Sequence, residues 1–275
     1  MRRLSKAVAE RLSALGVDDI TDKRAIFRAL ALTPGGNPRK LLGSSTKVEK
    51  GSKVKVLTAV MYLAPYKLSG VNLCPWATAA CAAACLGHST GRLKMPPNQR
   101  VLVSKALLWH LFPQYFLARL DAEIRSHASD ARALGLQAAV RLNGSTDVQW
   151  EKHLDFSSYP DVIFYDYTKF PKSKRDNTGY HLTYSVSDRR GSVAEAKRWL
   201  ESGGNIAIVV ADKDSNKLGD AKRVALRVVR DGWQGFPAHN ADETDARFLD
   251  KPGSAGILFA KGAALHDDSG FVQRY

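Results

Sequence analysis

From residue 54 onward the chain alternates short apolar runs with helical or polar stretches, and this limits the fold more than any other feature. The runs cover residues 54–63, 136–142, 162–167, 181–186, 205–210, 224–229 and 256–260. Polar residues, glycine or proline bound each of them, as they bound strands buried on both faces. Between the first two runs, helical spacing predicts a long helix over 97–133, with a kink at Pro113 and an end at Gly135. A shorter helix is expected over 193–202, capped by Ser192 and ended by Gly203-Gly204. Strands separated by such crossovers make parallel βα units. Six or seven units in 275 residues predict an α/β protein, a complete or partial parallel β/α (TIM-like) barrel. An open doubly wound sheet is the alternative. No Gly-x-Gly-x-x-Gly follows the first run, so a dinucleotide-binding version has no support.

Residues 1–50 read as a basic helical segment and linker, placed before a barrel-like domain over 51–275. Leu4, Val8, Leu12 and Leu15 have helical spacing, and Thr21 or Asp22 can cap a second helix over 23–32. Arg2, Arg3, Lys6, Arg11, Lys23, Arg24 and Arg28 make this pair basic. It is expected to pack on the main domain, with nucleic-acid contact as the alternative. The whole chain carries a formal charge of +14, which favours an anionic partner, nucleic acid or nucleotide. No apolar run is long enough for a membrane helix, and no apolar core follows the basic N-terminus as in a signal peptide. The expected compartment is the reducing cytoplasm.

All three cysteines, Cys74, Cys81 and Cys85, lie within the stretch 71–88 that follows the first strand. Ala77, Ala79, Ala80, Ala82, Ala83 and Ala84 predict a short helix there. Cys81 and Cys85 would then share one helix face, with Cys74 held in front of them by Pro75. Three thiolates can thus converge. Buried free cysteines on an alanine helix are the plain alternative, and a disulfide has little support in a chain with no other secretory feature. A zinc site would take His88 as its fourth ligand. An iron–sulfur cluster would take the three cysteines and leave one iron open, because no fourth cysteine exists.

Asn72, Cys74, Pro75, Ala77, Thr78, Cys81, Cys85 and Leu86 form an Asn-x-Cys-Pro-x-Ala-Thr-x-x-Cys-x-x-x-Cys-Leu pattern. This resembles the cysteine loop of the gene-product-88 family of phage and plasmid proteins. The likeness extends to Tyr165-Asp166-Tyr167-Thr168-Lys169 and to Asp242-Glu243-Thr244-Asp245-Ala246-Arg247-Phe248-Leu249-Asp250, which an apolar strand and Lys261-Gly262 follow. It covers residues 54–262 in patches and leaves out residues 1–50. The resemblance implies a phage or plasmid context and no particular reaction. A three-cysteine loop after the first barrel strand is also similar to that of radical S-adenosylmethionine enzymes, which implies S-adenosylmethionine on the open iron. The spacing departs from their Cys-x3-Cys-x2-Cys, and Asn143-Gly144-Ser145 stands where their Gly-Gly-Glu follows the second strand.

A β/α barrel works at the C-terminal ends of its strands. Asn143, Ser145, Thr146 and Asp147 follow the second strand, and Asp166, Thr168 and Lys169 end the third. Ser185, Ser187 and Asp188 end the fourth, and Asp212 and Lys213 follow the fifth. The candidate catalytic set is Asn143, Asp147, Asp166, Lys169, Ser185 and Asp212. The four carboxylates of residues 242–250 can bind a divalent metal, act in acid–base chemistry, or pair with basic residues, and the last is preferred. The expected function is an iron–sulfur protein with a [4Fe–4S] cluster in a polar mouth, a redox or radical S-adenosylmethionine-like enzyme if it is one. The alternative is a nucleic-acid-binding or nucleic-acid-processing protein with a structural zinc or iron–sulfur site.

Overall fold

The computed structural model describes residues 4–43, 55–85, 87 and 91–275. Residues 44–54 of the expected linker and first run, together with Leu86 and His88, lie outside them. Two short helices open the chain, α1 (Lys6–Ala14) and α2 (Lys23–Ala31). The Ser5 and Asp22 side chains cap them by accepting from backbone N–H groups of the first turn. Strand β1 (Leu42–Gly43) pairs antiparallel with β2 (Val56–Met61). The cysteine loop follows β2 and carries the five-residue helix α3 (Ala79–Ala83).

The long helix expected over 97–133 is two helices, α4 (Pro96–Leu111) and α5 (Pro113–Ala133). They break at Phe112, because Pro113 lacks the N–H that continuation needs and is suited to open a helix. Then come β3 (Gln137–Arg141), β4 (Val162–Thr168), β5 (Tyr180–Ser185), α6 (Ser192–Glu201), β6 (Asn205–Ala211) and α7 (Leu218–Asp231). The short strands β7 (Ala238–Asn240), β8 (Ala255–Phe259) and β9 (Gln273–Arg274) complete the chain. Ser192 is the first residue of α6 rather than its cap; Gly191 holds the cap position. The run 224–229, expected as a strand, lies inside α7. Ala221, Val224, Ala225 and Val228 are buried at helical spacing while Leu226 is exposed, so a run rich in valine hid a 3.6-residue period.

The nine strands among the described residues form one sheet in the order β1-β2-β3-β4-β5-β6-β8-β7, with β9 against β6. Every pairing except β1–β2 is parallel. No pairing among the described strands closes the sheet. Alternation along the strands separates its two faces. Ala59, Met61, Val140, Phe164, Leu182, Tyr184, Ile206, Ile208 and Ile257 join one large core with residues of α1, α2, α4, α5, α6 and α7. All six longer helices therefore cover one face. The opposite face carries Val56, Ala139 and Tyr165, against which Phe248 packs. Residues 242–250 thus cross that second face.

The front helices share the main core: Leu12, Ile26 and Leu30 are fully buried in it. Phe27 meets Phe112 and Tyr115 edge-on at the α4–α5 break. The N–H groups of Leu41 and Leu42 donate to the buried Glu123 carboxylate, and the Lys105 ammonium donates to Leu41 O. Among the described residues, no helix is long and apolar enough to cross a membrane.

Candidate metal centre at the strand ends

The cysteine loop begins where β2 ends and folds back on itself. Cys74 N–H donates to Asn72 Oδ1 at 3.0 Å, and Ala77 N–H donates to Cys74 O, which sets a turn before α3. Thr78 caps α3 by accepting from Cys81 N–H at 3.0 Å. The helix stops at Ala83, so Cys85 lies just past it rather than on one face with Cys81. Tyr66 takes a left-handed φ of 47°, and its N–H donates to Cys74 Sγ at 3.2 Å. Gly87 N–H donates to Cys85 Sγ at 3.4 Å. A Cβ on Gly87 would stand 2.8 Å from Ser145 Cβ, so only glycine lets this turn approach the neighbouring loop.

The three half-buried cysteines form no disulfide. They stand close enough for each of Cys81 and Cys85 to disfavour ionisation of Cys74. Burial is the main effect on all three and pushes the Cys74 thiol to about 12, against the help of the Tyr66 N–H. Burial also raises Cys81, opposed by the Lys169 ammonium, and raises Cys85, opposed by the Gly87 N–H. Thiols held neutral in this way are released to bind a thiophilic centre when its charge replaces their protons. Among the described residues, no three His, Cys, Asp or Glu side chains are arranged to hold a metal ion.

Loops from three other strands meet this one. After β3, Ser145 Oγ donates to Leu63 O at 2.6 Å, and Asp147 N–H donates to Leu73 O at 3.0 Å. The Asp147 carboxylate accepts from Lys169 N–H, at the end of β4, and from Arg175 Nη1. Burial raises its pKa, and Arg175 works against that. Lys169 Nζ donates to Ser185 Oγ at 3.0 Å, at the end of β5. Asp188 accepts a 2.5 Å hydrogen bond from Thr78 Oγ1. The C-terminal segment supplies a fourth wall. Phe271 lies under the Lys169 ammonium, and Val272 and Ala264 pack with Ala84.

Cys74, Cys81, Cys85, Ser145, Asp147, Lys169 and Ser185 are therefore brought to one mouth. Asn143 and Asp166 lie beneath it and hold the loop in shape. Asn143 Oδ1 accepts from Thr146 Oγ1, Val148 N–H and Trp150 Nε1. Asp166 is fully buried and accepts from Arg141 Nε, Leu142 N–H, Asn143 N–H and the Tyr180 hydroxyl. A Cβ on Gly144 would stand 2.7 Å from Val60 Cγ1, so this loop lies directly on β2. Asp212 caps its own turn by accepting from Asp214 N–H, beside Arg274 of the C-terminal strand. His88 is outside the described residues.

The four carboxylates of residues 242–250 do not converge. Asp242 pairs with Lys261, Asp245 with Arg141, and Asp250 with Arg247 and His239, while Glu243 accepts from Asn240. They hold the segment against the sheet. Arg175, Tyr66 and Trp76 are site residues the sequence reading missed. Arg175 sits in the basic run 172–175 with no mark to set it apart.

Burial of Asp166 raises its carboxyl to about 6, against the pull of Arg141. The folded chain thus holds this proton more tightly than the unfolded chain, where the ordinary value near ~3.9 applies. Its contribution to stability is complete below about pH 4 and is lost as pH rises through about 6. The stability difference between wild type and Asp166→Asn should fall over that interval when urea denaturation is followed at each pH.

A family model described as Gene product 88 matches residues 34–275, so the match takes in β1 and the whole mouth as well as residues 34–50 of the front segment. No curated protein and no solved structure matches the chain. Over nearly its full length, the chain belongs to the gene product 88 family.

Proposed function

We propose that this is an iron–sulfur protein in which Cys74, Cys81 and Cys85 hold a [4Fe–4S] cluster at the mouth of a partial β/α barrel. The observation that carries the reading is the meeting of all three thiols with the loops after β3, β4 and β5. The strand order from β2 to β6 follows the sequence without a reversal, and the longer helices cover one face. Both features support a curling barrel wall over a doubly wound sheet, which reverses at a switch point and covers both faces. Thiolates sharing one zinc stand about 2.3 Å from it and so crowd together. Thiolates on separate irons of a cluster stand farther apart, so the two centres ask different spacings of the three thiols. The N–H groups of Tyr66 and Gly87 on two of the sulfurs are of the kind that tune such clusters.

Three cysteine ligands leave one iron for a small molecule, and the cluster would supply one-electron chemistry there. S-adenosylmethionine is the first molecule to test at that iron. Lys169, fixed by Ser185, and Asp147 are the charged groups this chain offers beside the thiols. Reduced thiols and such a cluster fit a reducing cytoplasm. The charge of +14 supports an anionic partner, nucleic acid or nucleotide. The competing reading is a nucleic-acid-processing protein whose zinc is held by the cysteines and His88.

Anaerobic reconstitution with iron and sulfide separates the two. Cys74→Ala, Cys81→Ala and Cys85→Ala should each fail to retain iron, while His88→Ala retains it. Loss of the metal from His88→Ala, with zinc bound in preference to iron, would overturn the cluster in favour of the Cys3His site.

A further inference from the structure

Nine of the nineteen described arginines face a carboxylate. Arg119, Arg125, Arg132, Arg141, Arg175, Arg198, Arg223, Arg230 and Arg247 all do. The cations at the rim of the mouth are among those that do not. Lys172 and Lys174, in the loop after β4, and Arg189 and Arg190, in the loop after β5, form no ion pair with any described carboxylate. Two of them converge on one aromatic ring. The Arg189 guanidinium lies 4.8 Å and the Lys174 ammonium 5.7 Å from the centre of the Trp76 ring. Arg189 Nη2 also donates to Trp76 O at 3.2 Å. The Phe170 ring stands 5.5 Å from Trp76, tilted by 46°. Trp76 is half-buried and lies two residues from Cys74, so this rim and the thiols share one opening.

We infer that Trp76, Lys174 and Arg189 form a receptor for a nucleotidyl group: a base stacked against the aromatic pair, with its phosphate between the lysine and the arginine. The inference rests on the reading of this mouth as the working face and names what it receives. Base stacking on tryptophan tolerates any base, and clustered cations that lack carboxylates favour phosphate over a neutral or cationic ligand. Arg adds a planar fork suited to phosphate oxygens. The nucleotidyl group can belong to a free nucleotide or to a single strand, and the rim chemistry is the same for both. A strand would add a phosphate contact to Arg190 farther along the loop after β5.

The test is equilibrium binding of a fluorescein-labelled twelve-base thymidine oligonucleotide, with ATP as the free-nucleotide arm, to the full chain over a series of salt concentrations. The inference expects binding that weakens with salt. Trp76→Leu should lower affinity about ten-fold. For the oligonucleotide, the double variant Lys174→Gln/Arg189→Gln should flatten the salt slope by about two, one for each cation removed. Oligonucleotide binding marks a strand as the ligand, and ATP binding without it marks a free nucleotide. Failure of both probes to bind, or binding left unchanged by both variants, overturns the inference. The Arg227→Gln/Lys222→Gln variant on α7 is the surface control: an equal loss there would show diffuse attraction and no receptor. Iron content is measured on each sample, and binding is repeated on Cys81→Ala. A wild-type protein that holds iron but ignores both probes refutes the receptor alone, and an anaerobically reconstituted wild type that binds them yet holds no iron refutes the cluster alone.

Discussion

Arg175→Ala should lower the free energy of unfolding by about 3–5 kcal/mol, the usual cost of stripping one partner from a buried ion pair. The Arg175 side chain is 1% exposed and serves two carboxylates at once. Its Nε and Nη2 form a fork on Glu151 at 2.6 and 3.0 Å, and its Nη1 reaches Asp147 at 3.1 Å and Thr168 Oγ1 at 2.8 Å. The guanidinium also lies over Phe170 and Tyr180. Removing it leaves two buried carboxylates facing each other without a cation. Arg175→Lys should recover little, because a point charge cannot bridge both acids in that plane. Urea denaturation measures the loss, and a change below about 1 kcal/mol would show that the acids are already hydrated. The effect also reaches the thiols. Asp147 links Leu73 O to Lys169 N–H, so a variant that is still folded at low temperature should hold metal less firmly than wild type.

Trp150→Ala should cost about 3–5 kcal/mol, for a different reason. The ring is fully buried, packed against Trp109 and stacked on Phe116 of α5. Its Nε1 donates to Asn143 Oδ1 at 3.2 Å and so ties the large core to the loop beneath the mouth. Trp150→Phe isolates that tie, since it keeps most of the packing and loses the donor. Asn143 Oδ1 still accepts from Thr146 and Val148, so the expected cost of the lost bond is about 1 kcal/mol. Thermal denaturation of the pair separates packing from hydrogen bonding. Equal losses in the two variants would contradict the division.

The sequence could place the mouth because its parts come at strand ends. Cys74, Asp147 and Lys169 follow short apolar runs and Ser185 ends a strand, and parallel strands bring such positions to one edge whatever the curvature of the sheet. Where an element had no run of its own, the reading missed it: β1 and β9 are two residues each and β7 three. At 224–229, adjacent valines imitated a strand, and the helical period showed only over the wider span from Ala221 to Val228. Arg175 could not be read, because its neighbours Lys172 and Lys174 look the same in sequence and only burial distinguishes them. The meeting of Trp76 with Arg189 joins residues more than a hundred positions apart, which no local pattern encodes. The charge pointed to an anionic partner. It took the contacts of the Trp76 ring to show where Lys174 and Arg189 meet.

The measurement that bears most directly on the account is metal and acid-labile sulfide analysis of the anaerobically purified wild-type chain, with its absorption spectrum. The account predicts a brown protein with about four irons and four sulfides per chain and a broad band near ~400 nm, bleached by dithionite. A colourless protein carrying about one zinc and no sulfide would contradict it.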